Sequence, residues 1–203
     1  MNAAVNADEL RSGARAAALH TSAASPGRVS IRVLSEDEWS LYRPLLQEAT
    51  QDSLELLRAA PDRETTLDEP DTRPRLLLAR RLVAELNGVA VGVVSVNAHR
   101  DDPTSSNLTG LWVAPAVRNR GIGTLLAEAA AALEAEDGKK QLYYWVSTDN
   151  ASAIAFASNT GFRITSHRRS TGADDQQPNG QEVAFVMPLE TDPGAVPNAS
   201  SAP

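Results

Sequence analysis

The chain reads as a mixed α/β domain, an α+β mixed sheet forming one central layer with helices packed on its faces. Two β-rich runs, 81–86 and 89–96, flank Asn87-Gly88. That dipeptide is a strong hairpin signal, because a type I′ turn wants positive φ at both central residues. Ile122, Leu125, Leu126, Ala129 and Leu133 recur at helical spacing with Gly138 beyond the last turn. Further β-rich runs stand on both sides of that helix, with two helical segments after the first run and one more short helix near the end. The chain has 203 residues, 42% of them apolar, enough for one domain with one core.

Residues 1–28 are rich in Ala, Ser and Asn without a sustained period, and 191–203 hold three prolines, so both are expected to be disordered tails around a domain at 29–190. Val29, Ile31 and Val33 alternate with Ser30, Arg32 and Leu34, which predicts a partly buried first strand. Ser35 with Glu38 resembles a capping box ahead of a helix carrying Trp39, Tyr42, Leu45, Leu46 and Ala49 on one face; Pro44 is expected to kink or shorten it. A second short helix is expected over 52–59, then a polar stretch broken by Pro61, Pro70 and Pro74. After the hairpin and a polar loop, 108–113 predicts a strand ending at Ala114-Pro115, and the striped helix is expected to start near Asn119 or Arg120. A strand over 142–146, a helix over 150–160 closed by Gly161, and strands over 162–166 and 183–187 complete the order.

Charge and composition exclude several functions. Nineteen basic against 26 acidic residues give a net charge of −7, the wrong sign for general binding to nucleic acid. Residues 36–71 carry eleven acids and three bases, and so hold the whole excess. Such a run is commonly a solvated helix face, and it also fits an acidic mouth that prefers cationic ligands. Cysteine is absent, which removes disulfides and thiolate chemistry, and His20, His99 and His167 are too scattered for a metal site. No run is long and apolar enough for a membrane span, and the charged, Ala-rich opening does not read as a secretory signal. The expected compartment is the cytoplasm.

The chemistry concentrates between the strand ending Leu111-Trp112-Val113 and the striped helix, in Arg118-Asn119-Arg120-Gly121-Ile122-Gly123-Thr124. A helix start offers unpaired N–H groups and the positive end of the dipole, and glycine removes the Cβ atoms that would hold an anion away. This predicts a phosphate cradle, with Arg118 and Arg120 as added cations; tight helix packing is the alternative explanation of the glycines. A dinucleotide fingerprint fails because Leu126 stands at its third glycine, and a P-loop fails because the lysines are Lys139 and Lys140.

Together with the run Asn150-Ala-Ser-Ala-Ile-Ala-Phe156-Ala-Ser-Asn-Thr-Gly161-Phe162, the pattern Arg118-x-x-Gly121-x-Gly123 resembles the GNAT family of N-acetyltransferases over about residues 82–162. The resemblance implies a GNAT-type acyl-CoA N-acyltransferase fold with acetyl-CoA as co-substrate. It implies that the amides of Arg118, Asn119, Arg120, Gly121, Ile122, Gly123 and Thr124 hold the pyrophosphate. It further implies that Leu111, Trp112 and Val113 pair with the pantetheine arm, that Asn150 and Phe156 line it, and that the two adjoining strands splay to admit it. Acetyl would pass by direct attack to a primary amine of a small molecule or peptide, on a monomer or homodimer.

One departure is plain. The residue after Phe156 is commonly a tyrosine in the family, protonating the leaving thiolate, and here it is Ala157. The remaining hydroxyl candidates are Ser158, Tyr143 and Tyr144, and strand alternation lets only one of the two tyrosines face the site. The departure also admits a CoA-binding module of the same fold with little or no turnover. For the base, Glu85 is the acid within the central hairpin, where burial would raise its pKa; His99 sits in a polar loop, where a solvated role is simpler.

Overall fold

The computed structural model describes residues 27–35, 38–52, 79–170 and 180–189. All but the first residue of the expected helix over 52–59, the loop 171–179 and nearly all of both expected tails lie outside them. The elements are β1 (Val29–Val33), α1 (Trp39–Asp52), β2 (Ala79–Leu86), β3 (Val89–Ala98), β4 (Ser105–Val113), a 3₁₀ turn (Pro115–Val117), α2 (Ile122–Glu136), β5 (Gln141–Ser147), α3 (Ala151–Asn159), β6 (Arg163–Ser170) and β7 (Gln181–Pro188). Among the described residues they form one mixed sheet in the order β1-β2-β3-β4-β5-β7-β6, parallel only between β4 and β5.

The turn chemistry sets the hairpin. Asn87 at φ 54° and Gly88 at φ 81° close β2 onto β3, and the Asn87 Oδ1 accepts the Arg28 N–H at 3.1 Å, fastening the start of β1 beside them. Strand directions then place side chains on two faces. Leu82, Ala84, Val94, Leu108, Leu142 and Phe185 pack against α2 and α3, while Val83, Val93 and Trp112 pack against Tyr42, Leu45 and Ala49 of α1. Both faces are therefore covered, and β2 and β3 read as apolar runs rather than clean alternation.

Several boundaries differ from expectation for physical reasons. Pro44 lies inside α1 without shortening it, because buried Tyr42, Leu45 and Ala49 hold the turns on both sides. Ser35 and Glu38 make one half of a capping box: the Glu38 carboxylate accepts the Ser35 N–H at 2.9 Å and its Oγ–H at 2.8 Å. α2 starts at Ile122 rather than Asn119 or Arg120, since Asn119 (φ 60°) and Gly121 (φ 77°) are both left-handed and hold the chain out of helix until then. The buried face of α2 is Ile122, Leu126, Ala127, Ala130 and Glu134, and Leu125 turns outward at 41% exposure. The small Ala127 and Ala130 let the helix lie close on the sheet, which rotates the expected stripe. Its end is a Schellman motif, with Gly138 (φ 76°) donating to Ala135 at 2.9 Å and Lys139 to Glu134 at 3.0 Å.

Glu134 is the acid this rotation buries, at 3% exposure, where its carboxylate accepts from Arg80 and from the Ser106 Oγ–H. A buried carboxylate is tolerated only with such partners, and they tie α2 to β2 and β4. Glu134→Ala should therefore lower unfolding free energy by about 2–3 kcal/mol, read as a shift of the urea midpoint at constant slope. A change under about 0.5 kcal/mol, the size of an ordinary surface substitution, would contradict this account.

Candidate active site

β4 and β5 pair only over four positions, from Ser105↔Gln141 to Leu108↔Tyr144. Just beyond, Gly110 (φ 61°) and Leu111 together oppose Val94 of β3, a bulge that bends β4 away. The two strands part as the resemblance implied. A cavity of about 800 Å³ fills the gap, walled by the free edge of β4, the start of α2, Tyr144 and Trp145 of β5, and Phe156 of α3. Gly92 on β3 allows the bend: a Cβ there would stand 3.0 Å from the Trp112 carbonyl oxygen and 3.2 Å from Leu126. Sequence reading passed over Gly92, although a glycine inside a strand run signals a bulge or a close approach.

At the start of α2 the first helical bond runs from the Leu125 N–H to the Gly121 carbonyl at 3.0 Å. The N–H groups of Ile122, Gly123 and Thr124, which border the cavity, thus have no partner within the helix. The two glycines serve different ends. Gly121 holds a positive φ, and a Cβ on it would meet nothing within 4 Å, so the backbone lies open to the cavity. A Cβ on Gly123 would come within 3.2 Å of the Phe156 ring, so this glycine also answers to packing.

Arg118 is placed differently from expectation. Its Nε donates to the Val113 carbonyl at 2.9 Å and its Nη2 pairs with Asp52, whose same oxygen accepts the Trp112 Nε1–H at 3.0 Å. Arg118 and Trp112 hold the Asp52 carboxyl below its ordinary range. Asp52 ends α1 and borders the cavity, and sequence reading missed it. An acid at the C-terminal end of a helix, against the dipole, was the faint signal. Arg120 is exposed and stands outside the cavity lining.

Leu111, Trp112, Val113, Asn119, Asn150 and Phe156 border the cavity. The Asn150 Oδ1 also caps α3, accepting the Ala153 N–H at 2.9 Å. Of the tyrosines, Tyr144 faces the cavity, set edge-on to Phe156 with ring centroids 6.3 Å apart. Tyr143 points to the other side, its hydroxyl donating to Gln141 at 3.1 Å and its ring 4.8 Å from His99. Ser158 is exposed, and its Oγ–H is taken by the Ile154 carbonyl at 2.9 Å, since it lies two residues beyond Phe156 around the helix. Glu85 is also away from the cavity. It pairs with Arg32 at 3.0 Å, and Arg32 pairs with Glu38 at 2.7 Å, because odd positions of β2 in this stretch face α1. Ala157 is fully buried in the core beneath α3.

Because the Asp52 pKa is depressed in the folded state, its stabilising contribution is complete above the ordinary carboxylate pKa and is lost as pH falls through the lowered value. Asp52→Asn should cost about 1 kcal/mol at pH 7, the scale of a partly exposed ion pair. The difference from the parent should shrink as pH falls below the ordinary carboxylate range. Chemical denaturation of both proteins at pH 7 and pH 3 checks this, and an equal difference at both values would overturn it.

No described helix is long and apolar enough to cross a membrane. No curated protein matches the chain in sequence. Its fold is shared with solved structures. An acetyltransferase of the GNAT family from Streptococcus pneumoniae is 19% identical, with 80% of this chain and 100% of that one covered at a TM-score of 0.64. A ribosomal-protein-alanine N-acetyltransferase from Brucella melitensis is 23% identical, with 79% and 99% covered at a TM-score of 0.60. An N-acetyltransferase from Staphylococcus aureus is 14% identical, with 80% and 99% covered, also at 0.60. The family model described as acetyltransferase (GNAT) family matches residues 37–162, more than half of the sequence and most of the residues that line the cavity. With that match, the chain belongs to the GNAT family and is an acetyl-CoA-dependent N-acetyltransferase.

Proposed function

We propose that the parted strands bind acetyl-CoA and that the chain transfers acetyl, by direct attack, to a primary amine of a small molecule or peptide in the cytoplasm. The observation that carries this reading is the free β4 edge lying next to the bare start of α2 on one cavity. The residues fit the co-substrate: a left-handed glycine with open space above it suits a pyrophosphate, and a strand edge that no strand pairs with among the described residues suits an amide-bearing arm. When bound, acetyl-CoA supplies an activated thioester carbonyl. The chain does the rest.

The N–H groups of Gly121, Ile122, Gly123 and Thr124, with the helix dipole behind them, hold the pyrophosphate. The backbone of Leu111 and Val113 pairs with the pantetheine arm, and Asn150 and Phe156 close over it. Arg118 braces the loop through Val113 and Asp52 rather than meeting the phosphates itself. Tyr144 is the phenol that borders the cavity, and we assign it protonation of the leaving thiolate in place of the tyrosine missing at Ala157. Asp52, with its proton affinity pulled down, is a poor base, so the acceptor ammonium loses its proton to water. Ala157 favours a second reading, a CoA-binding module with little turnover, which thiol release from acetyl-CoA in the presence of an amine panel distinguishes.

Two substitution tests follow from these roles. Gly121→Val and Gly123→Val should each weaken coenzyme A binding at least tenfold in calorimetric titration, about 1.4 kcal/mol, with the far-ultraviolet spectrum unchanged. Binding by both at the parent's affinity would exclude the cradle. Tyr144→Phe should lower kcat by about a hundredfold, the lower range for a general acid, while Tyr143→Phe stays within about twofold. Equal effects of the two changes would remove Tyr144 from the chemistry.

A further inference from the structure

We propose that Arg169 is the acceptor-recognition residue and that it selects amines bearing a carboxylate or phosphate group; this rests on the acetyl-transfer reading above. Trp145 is the first β5 residue beyond the last pair with β4, so its side chain stands on the flank of the open cleft, on the face opposite Tyr144. Register then assembles a wall around it. Ser147 and Arg169 both pair with Glu182, placing β6 and β7 side chains beside the indole. The Arg169 guanidinium carbon lies 4.4 Å over the Trp145 ring, and its Nε donates to Glu182. Trp145, Arg169 and Glu182 all border the same cavity as the start of α2.

The arrangement leaves one part of the guanidinium available. The Glu182 side chain is 7% exposed and that of Arg169 is 46% exposed. One face of the fork is thus covered by indole and the Nε edge is taken, while neither Nη makes a hydrogen bond among the described residues. An arginine already stacked and pinned loses little freedom on meeting a ligand, and its planar Nη edge matches two oxygens of a carboxylate or phosphate. Other charges on the cavity do not compete for that part. Arg118 is engaged by Asp52, Glu182 by Arg169, and Asp149 lies at the turn before α3.

This reading opposes the cationic preference expected from the acidic segment 36–71. Of the described acids in that segment, Glu38 and Asp52 are paired with arginines and Glu48 is exposed outside the cavity lining, and residues 36, 37 and 53–71 lie outside the described ones.

The test uses the full chain, acetyl-CoA and matched amines: leucine against 3-methylbutylamine, and O-phosphoethanolamine against ethanolamine. The parent should show kcat/KM at least tenfold higher for one anionic member than for its neutral partner, and which pair shows it separates carboxylate from phosphate. Arg169→Gln should abolish that preference, the loss on the anionic amine exceeding that on the neutral amine by about tenfold to a hundredfold. Arg169→Lys, which keeps the charge but loses the fork, should recover only part of it. Equal kcat/KM within both pairs for the parent, or an equal loss on both members in Arg169→Gln, would overturn the assignment while leaving acetyl transfer standing. Thiol release that no amine raises above the amine-free rate would instead overturn the acetyl-transfer reading and this one with it.

Discussion

A parallel strand pair stays closed only while both partners keep their register, and β4 gives its register up at Gly110 and Leu111, where two residues face one of β3. The bend follows from that extra residue, and Gly92 permits it by leaving room for the Trp112 carbonyl 3.0 Å from where a Cβ would stand. β5 continues straight into its pairing with β7, so the two strands separate after Leu108 and Tyr144. The exposed edge, the gap and the access to both faces of the sheet are consequences of that one irregularity. The start of α2 supplies the cavity with unpaired amides because Asn119 and Gly121 hold the chain left-handed up to its first turn.

Among the described residues the charges are arranged in pairs that join different parts of the fold. Arg32 links β1 to Glu38 and Glu85, Arg80 links β2 to Glu134 in α2, Arg118 links the α2 loop to Asp52 in α1, and Arg169 links β6 to Glu182 in β7. Only the Arg80 and Arg169 pairs include a deeply buried carboxylate, so those two carry the larger penalty when broken. Arg118 and Arg169 are also the arginines that border the cavity. One is consumed in bracing the loop and the other is braced and left partly open, and on the proposed reading this difference separates the co-substrate end of the site from the acceptor end.

Much of this was legible beforehand where the physics is local. Asn87-Gly88 specified the hairpin, Gly138 the end of α2 and Gly161 (φ 90°) the end of α3, since each needs a backbone conformation few residues adopt. The glycine-bearing helix start that follows a strand was legible for the same reason. What failed was non-local. Glu85 looked like a buried acid because a strand position was known and its partner Arg32, 53 residues away, was not. Leu125 looked like core because a helical stripe fixes a period and not the rotation against the sheet.

From its own order of residues the chain determined which segments become strands and helices, where they turn, and that a bare helix start follows a strand. Those outcomes depend on φ preferences, side-chain periodicity and capping within a few residues. Tertiary structure alone decided that Tyr144 rather than Tyr143 or Ser158 borders the cavity, that Asp52 meets Arg118, and that Trp145, Arg169 and Glu182 form one wall. Strand register and a single bulge place those groups together, and both are settled by the packing of all seven strands at once rather than by any one of them.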